Sequence, residues 1–145
     1  MNAIELLKQD HQEASNMLAQ LEGQGADGGN PDMNLFNQLK NALTLHTEME
    51  EQIFYPALEN FDETREQVQH AYKEHKEVDG LLARLSNPGG DWQAGLSELK
   101  SNVEHHVREE ETDMFPKALR LLGEERLREL GERMRNMKRG QPATA

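Results

Sequence analysis

The sequence predicts an all-α protein, an antiparallel up-down-up-down four-helix bundle with a short C-terminal fifth helix. Three observations lead there. Apolar residues recur at intervals of three and four along nearly the whole chain, and no segment sustains strand alternation. Glycine and proline clusters cut that pattern into long segments with short connections. The second half of the chain also repeats the first, so two helical hairpins share one plan.

The first helix is expected roughly over residues 3–22, ending at the Gly-rich "GQGADGGNPD". The second begins with Asn30 as N-cap and Pro31 at the first helical position, where a missing N–H costs nothing, and runs to about Asn60 with a kink near Pro56. The third starts after Asp62 and stops before "SNPGG", which cannot continue a helix. The fourth follows Asp91 as N-cap and reaches about Leu122, and Gly123 sets off a fifth segment over roughly 124–138. Residues 1–138 are thus expected to form one domain, with 139–145 as a flexible tail. An up-down-up-down arrangement is the least demanding way to bury four apolar stripes.

The repeat is most visible in "HTEMEEQIFYP" (46–56) and "HVREEETDMFP" (106–116), each a His, a Glu four residues on, and a Pro six residues after the Glu. At that offset of 60, Leu43 falls on Val103, His46 on His106 and Glu50 on Glu110. The first and third helices superpose at an offset of 64, which sets His11 on His75 and Leu18 on Leu82.

Polar groups stand where a core is expected. The apolar stripe of the first helix reads Ile4, Leu7, His11, Ala14, Leu18, Leu21, and that of the third Val68, Tyr72, His75, Val78, Leu82, Leu85. The second reads Leu39, Leu43, His46, Glu50, Ile53, Ala57, and the fourth Leu96, Leu99, Val103, His106, Glu110, Met114. Four histidines and two glutamates therefore point toward one axis, and no Lys or Arg lies in any stripe to neutralise them. A buried, unpaired carboxylate costs several kcal/mol, a large share of the roughly 5 to 15 kcal/mol that holds a domain together. Hydrogen bonds from each His to the Glu one turn on would offset part of this, but His11 and His75 have no such Glu on their own helices. Six metal-ligating groups on four helices point instead to cations. Imidazole and carboxylate without thiolate suit iron or manganese and tolerate zinc. Two bridging glutamates, four histidines and an oxo or hydroxo bridge leave positions open on a pair of octahedral ions, as a small exogenous ligand requires.

Composition narrows the partners. A formal charge of −11, from 27 acidic and 16 basic side chains, opposes binding to nucleic acid. The absence of cysteine removes disulfides, zinc-thiolate and iron-sulfur sites and cysteine nucleophiles. No stretch approaches the roughly 20 apolar residues that span a bilayer, so a cytoplasmic protein is expected, its oligomeric state left open.

With "DH", "HTEMEEQIFYP", "EH" and "VEHHVREEETDMFP" in that order, the chain resembles the hemerythrin-like family, the HHE cation-binding domain, over nearly its whole length. The resemblance implies a non-haem di-iron centre at His11, His46, Glu50, His75, His106 and Glu110. It also implies binding of O₂, oxygen or iron sensing, iron handling, or enzymatic reaction with peroxide or nitric oxide. One position departs from the oxygen carriers, which have a second histidine one turn from the first on the third helix; here those positions are Ala71 and Asp79. Water, Asp79 or a phenol is expected there, with Tyr72, about 60° from His75 around the helix, ranked ahead of Tyr55. His105 lies about 100° from His106 and is expected on a helix flank. His70 is expected in solvent or behind a ligand. Glu51, Glu109 and Glu111 read as a solvated face, with an acidic route for cations as the alternative.

Overall fold

The computed structural model describes residues 1–26 and 30–140, and all of its regular structure is helical. In order these are α1 (Ala3–Ala26), α2 (Met33–Met49), α3 (Tyr55–Leu58), α4 (Asp62–Leu85), α5 (Trp92–Glu109) and α6 (Phe115–Lys138). Five-residue π-helical turns, Glu50–Phe54 and Glu110–Met114, join α2 to α3 and α5 to α6 without a break. Two long helices result, the second interrupted at Gly123. With α1 and α4 they make the four helices of the bundle. Among the described residues no helix is long and apolar enough to cross a membrane. Residues 27–29 of the Gly-rich connection and 141–145 of the expected tail lie outside the described residues.

Local chemistry fixes the ends. Asn2 and Glu5 form a reciprocal cap at the start of α1: Glu5 N–H donates to Asn2 Oδ1 at 2.9 Å and Asn2 N–H to Glu5 Oε1 at 3.0 Å. The cap of α2 is Asp32, two residues after the expected Asn30; its carboxylate accepts from Leu35 N–H at 3.0 Å. A charged acceptor at the positive end of a helix outcompetes a neutral amide, which leaves Pro31 outside the helix. Asp91 stands before α5, but its side chain makes no capping bond. The turn there is held by Trp92, whose indole N–H donates to Leu85 O at 2.8 Å. At Gly123 the backbone leaves helical geometry (φ 82, ψ 164), where an L side chain would be strained, and then runs on to Lys138.

The repeated prolines account for the π turns. Proline has no N–H to donate to the carbonyl four residues back, and its ring collides with that carbonyl. Widening one turn to an i+5 pattern ahead of Pro56 and Pro116 relieves the conflict: Tyr55 N–H bonds Glu50 O, and Phe115 N–H bonds Glu110 O. The extra residue also rotates the helix beyond each turn. Tyr55 and Leu58 are buried, whereas Ala57, the stripe residue expected from a regular helix, is only half-buried.

Two apolar clusters divide the bundle along its length. Leu18, Leu21, Phe36, Leu39, Leu82, Leu85, Trp92 and Leu96 belong to one, and Leu7, Ile53, Phe54, Leu58, Val68, Phe115 and Leu130 to the other. The histidine and glutamate positions fall between them in all four chain segments.

Candidate metal centre

The structure brings the six expected side chains together. His11, His46, Glu50, His75, His106 and Glu110 are all buried, each no more than 7 % exposed. Every imidazole turns Nε2 inward. His46 Nε2 lies 3.3 Å and His75 Nε2 3.0 Å from Glu50 Oε1, while His11 Nε2 lies 3.1 Å from Glu110 Oε1 and His106 Nε2 3.3 Å from Glu110 Oε2. Two overlapping groups result, His11, His46, Glu50 and Glu110 in one and Glu50, His75 and His106 in the other, each with its ligand atoms within 4.8 Å of one another. Glu50 belongs to both. A carboxylate so placed can bridge two ions.

A second ring of carboxylates faces outward from the imidazoles. Asp10 sits 2.9 Å from His46 Nδ1 and Glu74 2.7 Å from His106 Nδ1; Glu111 sits 2.8 Å from His11 Nδ1 and Glu51 2.7 Å from His75 Nδ1. A carboxylate there accepts the Nδ1 proton, fixes the ring and leaves the Nε2 lone pair aimed at the centre. The arrangement obeys the repeat. The acid just before the His of α1 or α4 holds the next helix's His, and the acid just after Glu50 or Glu110 holds the His on α4 or α1. This corrects the reading of Glu51 and Glu111 as a merely solvated face: both are partly exposed, yet each orients a buried ring. The signal was present in sequence as a repeated acid beside His11 and His75 and beside Glu50 and Glu110.

Tyr55, ranked below Tyr72 by helical geometry, is the phenol at the cluster. Its hydroxyl donates to Glu110 Oε2 at 2.5 Å and lies 3.3 Å from both His75 Nε2 and His106 Nε2. The π turn is the reason, because it returns the fifth residue after Glu50 to the face of Glu50. Tyr72 instead reaches Glu59 Oε1 at 3.2 Å and packs edge-on against Tyr55. Asp79 is exposed. The repeat partner of Tyr55 is Phe115, which stacks on His11 with centroids 5.9 Å apart and planes 4° from parallel. His105 and His70 are exposed, as expected.

Electrostatics set the terms on which this layer is stable. Burial alone would depress His46, but Glu50 and Asp10 outweigh it and push the imidazole up to about 10. Burial likewise opposes the rise of His75, lifted by Glu50, and of His106, lifted by Glu110 and Glu50. Burial acts to raise Glu50, yet the field of His46 and its hydrogen bonds hold it well below the usual carboxylate range. Burial and the two glutamates push the Tyr55 phenol well up, so it keeps its proton. Protons on imidazole therefore supply positive charge to the layer when no cation does. They satisfy it incompletely: among the described residues His11 Nε2, His46 Nε2, Glu50 Oε2 and Glu110 Oε1 are buried without a hydrogen-bond partner. His11 Nε2 and Glu110 Oε1 stand 3.1 Å apart but are not aligned as donor and acceptor. Atoms that face a common point in preference to one another are what a cation requires, so the residues fit a metal pair.

Two cavities approach the layer. One, of about 230 Å³, has apolar walls that include Ala14, Leu43, Val78 and Val103 and touches all four histidines. The other, of about 270 Å³, runs between α4 and α5 past Glu66, Glu109 and Asp113 to His106 and Glu110.

The chain is 26% identical to a hemerythrin HHE cation binding domain-containing protein of Mycobacterium kansasii, whose crystal structure it matches with a TM-score of 0.80 over 97% of this chain and 86% of that one. It is also 27% identical over 118 residues to a DNA nickase of Nostoc sp., a match that covers 79% of this chain and 33% of the nickase, so the chain spans a third of that curated relative. The model of the hemerythrin HHE cation binding domain matches residues 2–118, and the chain belongs to that family.

Proposed function

We propose that this chain is a non-haem di-iron protein that binds or reacts with O₂ or a related small oxidant. The observation that carries the reading is the set of four buried ligand atoms without hydrogen-bond partners, lying beside an apolar cavity that touches all four imidazoles. His11 and His46 would hold one ion, His75 and His106 the other, with Glu50 and Glu110 between them. Nitrogen and oxygen donors without sulfur suit iron or manganese and tolerate zinc, and the family resemblance selects iron among them. An iron pair held there would supply the electrons for binding or reducing a small oxidant. The protein's part is to hold six donors in register, to exclude water with Leu43, Val78 and Val103, and to keep a proton on the Tyr55 hydroxyl beside Glu110. The scaffold that goes with this reading is an antiparallel bundle in the cytoplasm, with residues 124–138 as its fifth helix.

Anaerobic loading with ferrous iron, metal quantification, and optical spectra before and after exposure to air test the reading. At least two irons per chain and a new absorption band on aeration are expected. Fewer than one iron per chain at saturation would sink it.

Tyr55 favours a second reading, an enzyme that consumes peroxide or O₂. The hydroxyl stands 3.3 Å from both His75 Nε2 and His106 Nε2, and it offers a proton there instead of a ligand nitrogen. Catalytic loss of peroxide by the loaded protein, abolished in Glu110→Ala, would favour turnover over reversible binding. Strand nicking belongs to the longer Nostoc protein; a chain with a formal charge of −11 is poorly suited to bind a polyanion alone.

A further inference from the structure

A second cluster of ligand-type side chains lies outside the buried layer. His70 and Glu74 are one turn apart on α4, and His105 and Glu109 one turn apart on α5. Each of the four offers a ligand atom within 4.8 Å of the others. His105 Nε2 is 2.8 Å from Glu109 Oε1 and 3.7 Å from Glu74 Oε2; His70 Nε2 is 3.4 Å from Glu74 Oε2 and 3.8 Å from Glu109 Oε2. Two imidazoles and two carboxylates, drawn from two helices, form a four-donor set of the kind that zinc, cobalt or ferrous ions take.

Two further observations separate this cluster from an ordinary polar surface. Three of its members, His70, Glu74 and Glu109, line the cavity that descends to His106 and Glu110, and the buried carbonyl oxygen of Gln67 in the same cavity has no hydrogen-bond partner. Glu74 is shared between the two layers, with Oε1 2.7 Å from His106 Nδ1 and Oε2 facing the outer imidazoles. The repeat supplies a control. The positions equivalent to His70, Glu74, His105 and Glu109 in the first hairpin are Leu6, Asp10, Leu45 and Met49. The acid needed to orient a buried histidine is kept there, and the other three positions are apolar. His70, His105 and Glu109 are thus not required by the shared plan.

We propose that His70, Glu74, His105 and Glu109 form an outer site for a divalent cation, the port through which ions reach the buried pair. The port role rests on the metal-centre reading, whereas binding at the outer site does not. Acidic walls raise the local concentration of cations, and exposed imidazoles bind them while still open to exchange.

Titration of the metal-free full chain with Co²⁺ alone, followed by absorption and metal count, is expected to give three ions per chain. His70→Ala/His105→Ala, both at exposed positions, should give two and leave the metal-free melting temperature unchanged. Anaerobic filling of the inner pair by Fe²⁺ in that variant should slow roughly tenfold or more. In His46→Ala/His75→Ala, which damages the inner layer only, one Co²⁺ should remain, and it should disappear when the two outer substitutions are added. Equal stoichiometry in the wild type and the outer double variant would overturn the outer site while leaving the inner centre standing. Loss of the third ion without slower filling would overturn the port. A single ion in the wild type, lost with the outer histidines, would support the outer site and overturn the inner reading instead.

Discussion

The two helical hairpins hold the same inner frame and close it in opposite ways. Each supplies two buried histidines, one inward glutamate and a π turn ahead of a proline. Outside the frame they diverge. Over the α1/α2 hairpin, Leu6 and Met49 are buried in a cluster that includes Leu130 and Met134 of α6, and Lys138 pairs with Asp10. The same positions on the α4/α5 hairpin are histidine and glutamate, reached by an acidic cavity. Inside the frame, Phe115 stacks on His11 where Tyr55 donates to Glu110 beside His75 and His106. Duplicated side chains thus make two similar donor sets, while unduplicated neighbours make the flank over the first hairpin mainly apolar and that over the second polar.

Removal of the metal should have the largest effect, and it should treat the hairpins alike. A cation bound only by the folded state stabilises by mass action, about 4 kcal/mol at a thousandfold excess over its dissociation constant. For a chain of this size that is on the order of 10 °C in melting temperature. Chelation is expected to lower the melting temperature by that much, and His106→Ala to mimic it. His46→Ala, the repeat partner, should do the same within a few degrees, as scanning calorimetry with and without chelator can check. A clear inequality would show that the two ion positions are not equivalent.

The metal-free protein should be strongly pH-dependent. Since His46 is pushed up to about 10 from an ordinary 6.5 by Glu50 and Asp10 against the opposing effect of burial, its contribution is fully present below pH 6.5 and is lost as pH rises toward 10. His75 and His106 shift in the same direction, so both hairpins weaken together. Glu50, held low, works the other way: its contribution is present above pH 4.5 and fades as pH falls further. Melting temperatures of chelated protein should therefore be highest near pH 5 to 6.5 and fall toward pH 10. The loaded protein should resist the alkaline fall, because a cation replaces the protons that alkali removes. A flat alkaline limb for the chelated protein would show that the layer is held by neutral hydrogen bonds.

Exchange of the unduplicated aromatic pair should matter less. Tyr55→Phe leaves Glu110 Oε2 without its hydroxyl donor and makes the hairpins alike at this position. A lost hydrogen bond to a buried charged acceptor costs about 1 to 3 kcal/mol. A fall of several degrees is expected in the metal-free protein, with the metal count unchanged. Phe115→Tyr would place a hydroxyl beside His11, and if the asymmetry sets reactivity, the double exchange should not restore the rate of peroxide loss.

How much of this was legible in sequence depends on which residues are asked about. Helix spacing alone placed His11, His46, Glu50, His75, His106 and Glu110 on inward faces, and the structure puts them in one layer, because a stripe position in a regular helix has one direction. Tyr55 escaped for the converse reason. Its direction is set by a turn of irregular width, and extrapolation at 100° per residue turned it away from Glu50. The repeated proline was the clue to that width, but it pointed as readily to a kink. Asp10, Glu51, Glu74 and Glu111 reach histidines on other helices, a contact that one helix's pattern does not show and that only the repeat of an acid at the same places hinted at. Asp32 displaced Asn30 as the cap of α2 because two adjacent signals competed and the charged group won.

Lys138→Ala should have the smallest effect and the sharpest bearing on why the first hairpin carries no outer cluster of donors. The ammonium is partly exposed beside Asp10, and such a pair is worth about 0 to 1 kcal/mol, so the melting temperature should move by no more than roughly 3 °C. Asp10 is then left with His46 alone, as Glu74 is with His106 in the inner frame. If covering by α6 and the apolar side chains of Leu6, Leu45 and Met49 keep cations from this side, the variant should bind as many Co²⁺ ions as the wild type. One carboxylate without imidazole partners is a poor site. An additional ion in Lys138→Ala would mean that a single lysine had kept cations from Asp10, and that the outer histidines of the second hairpin contribute less than their geometry implies.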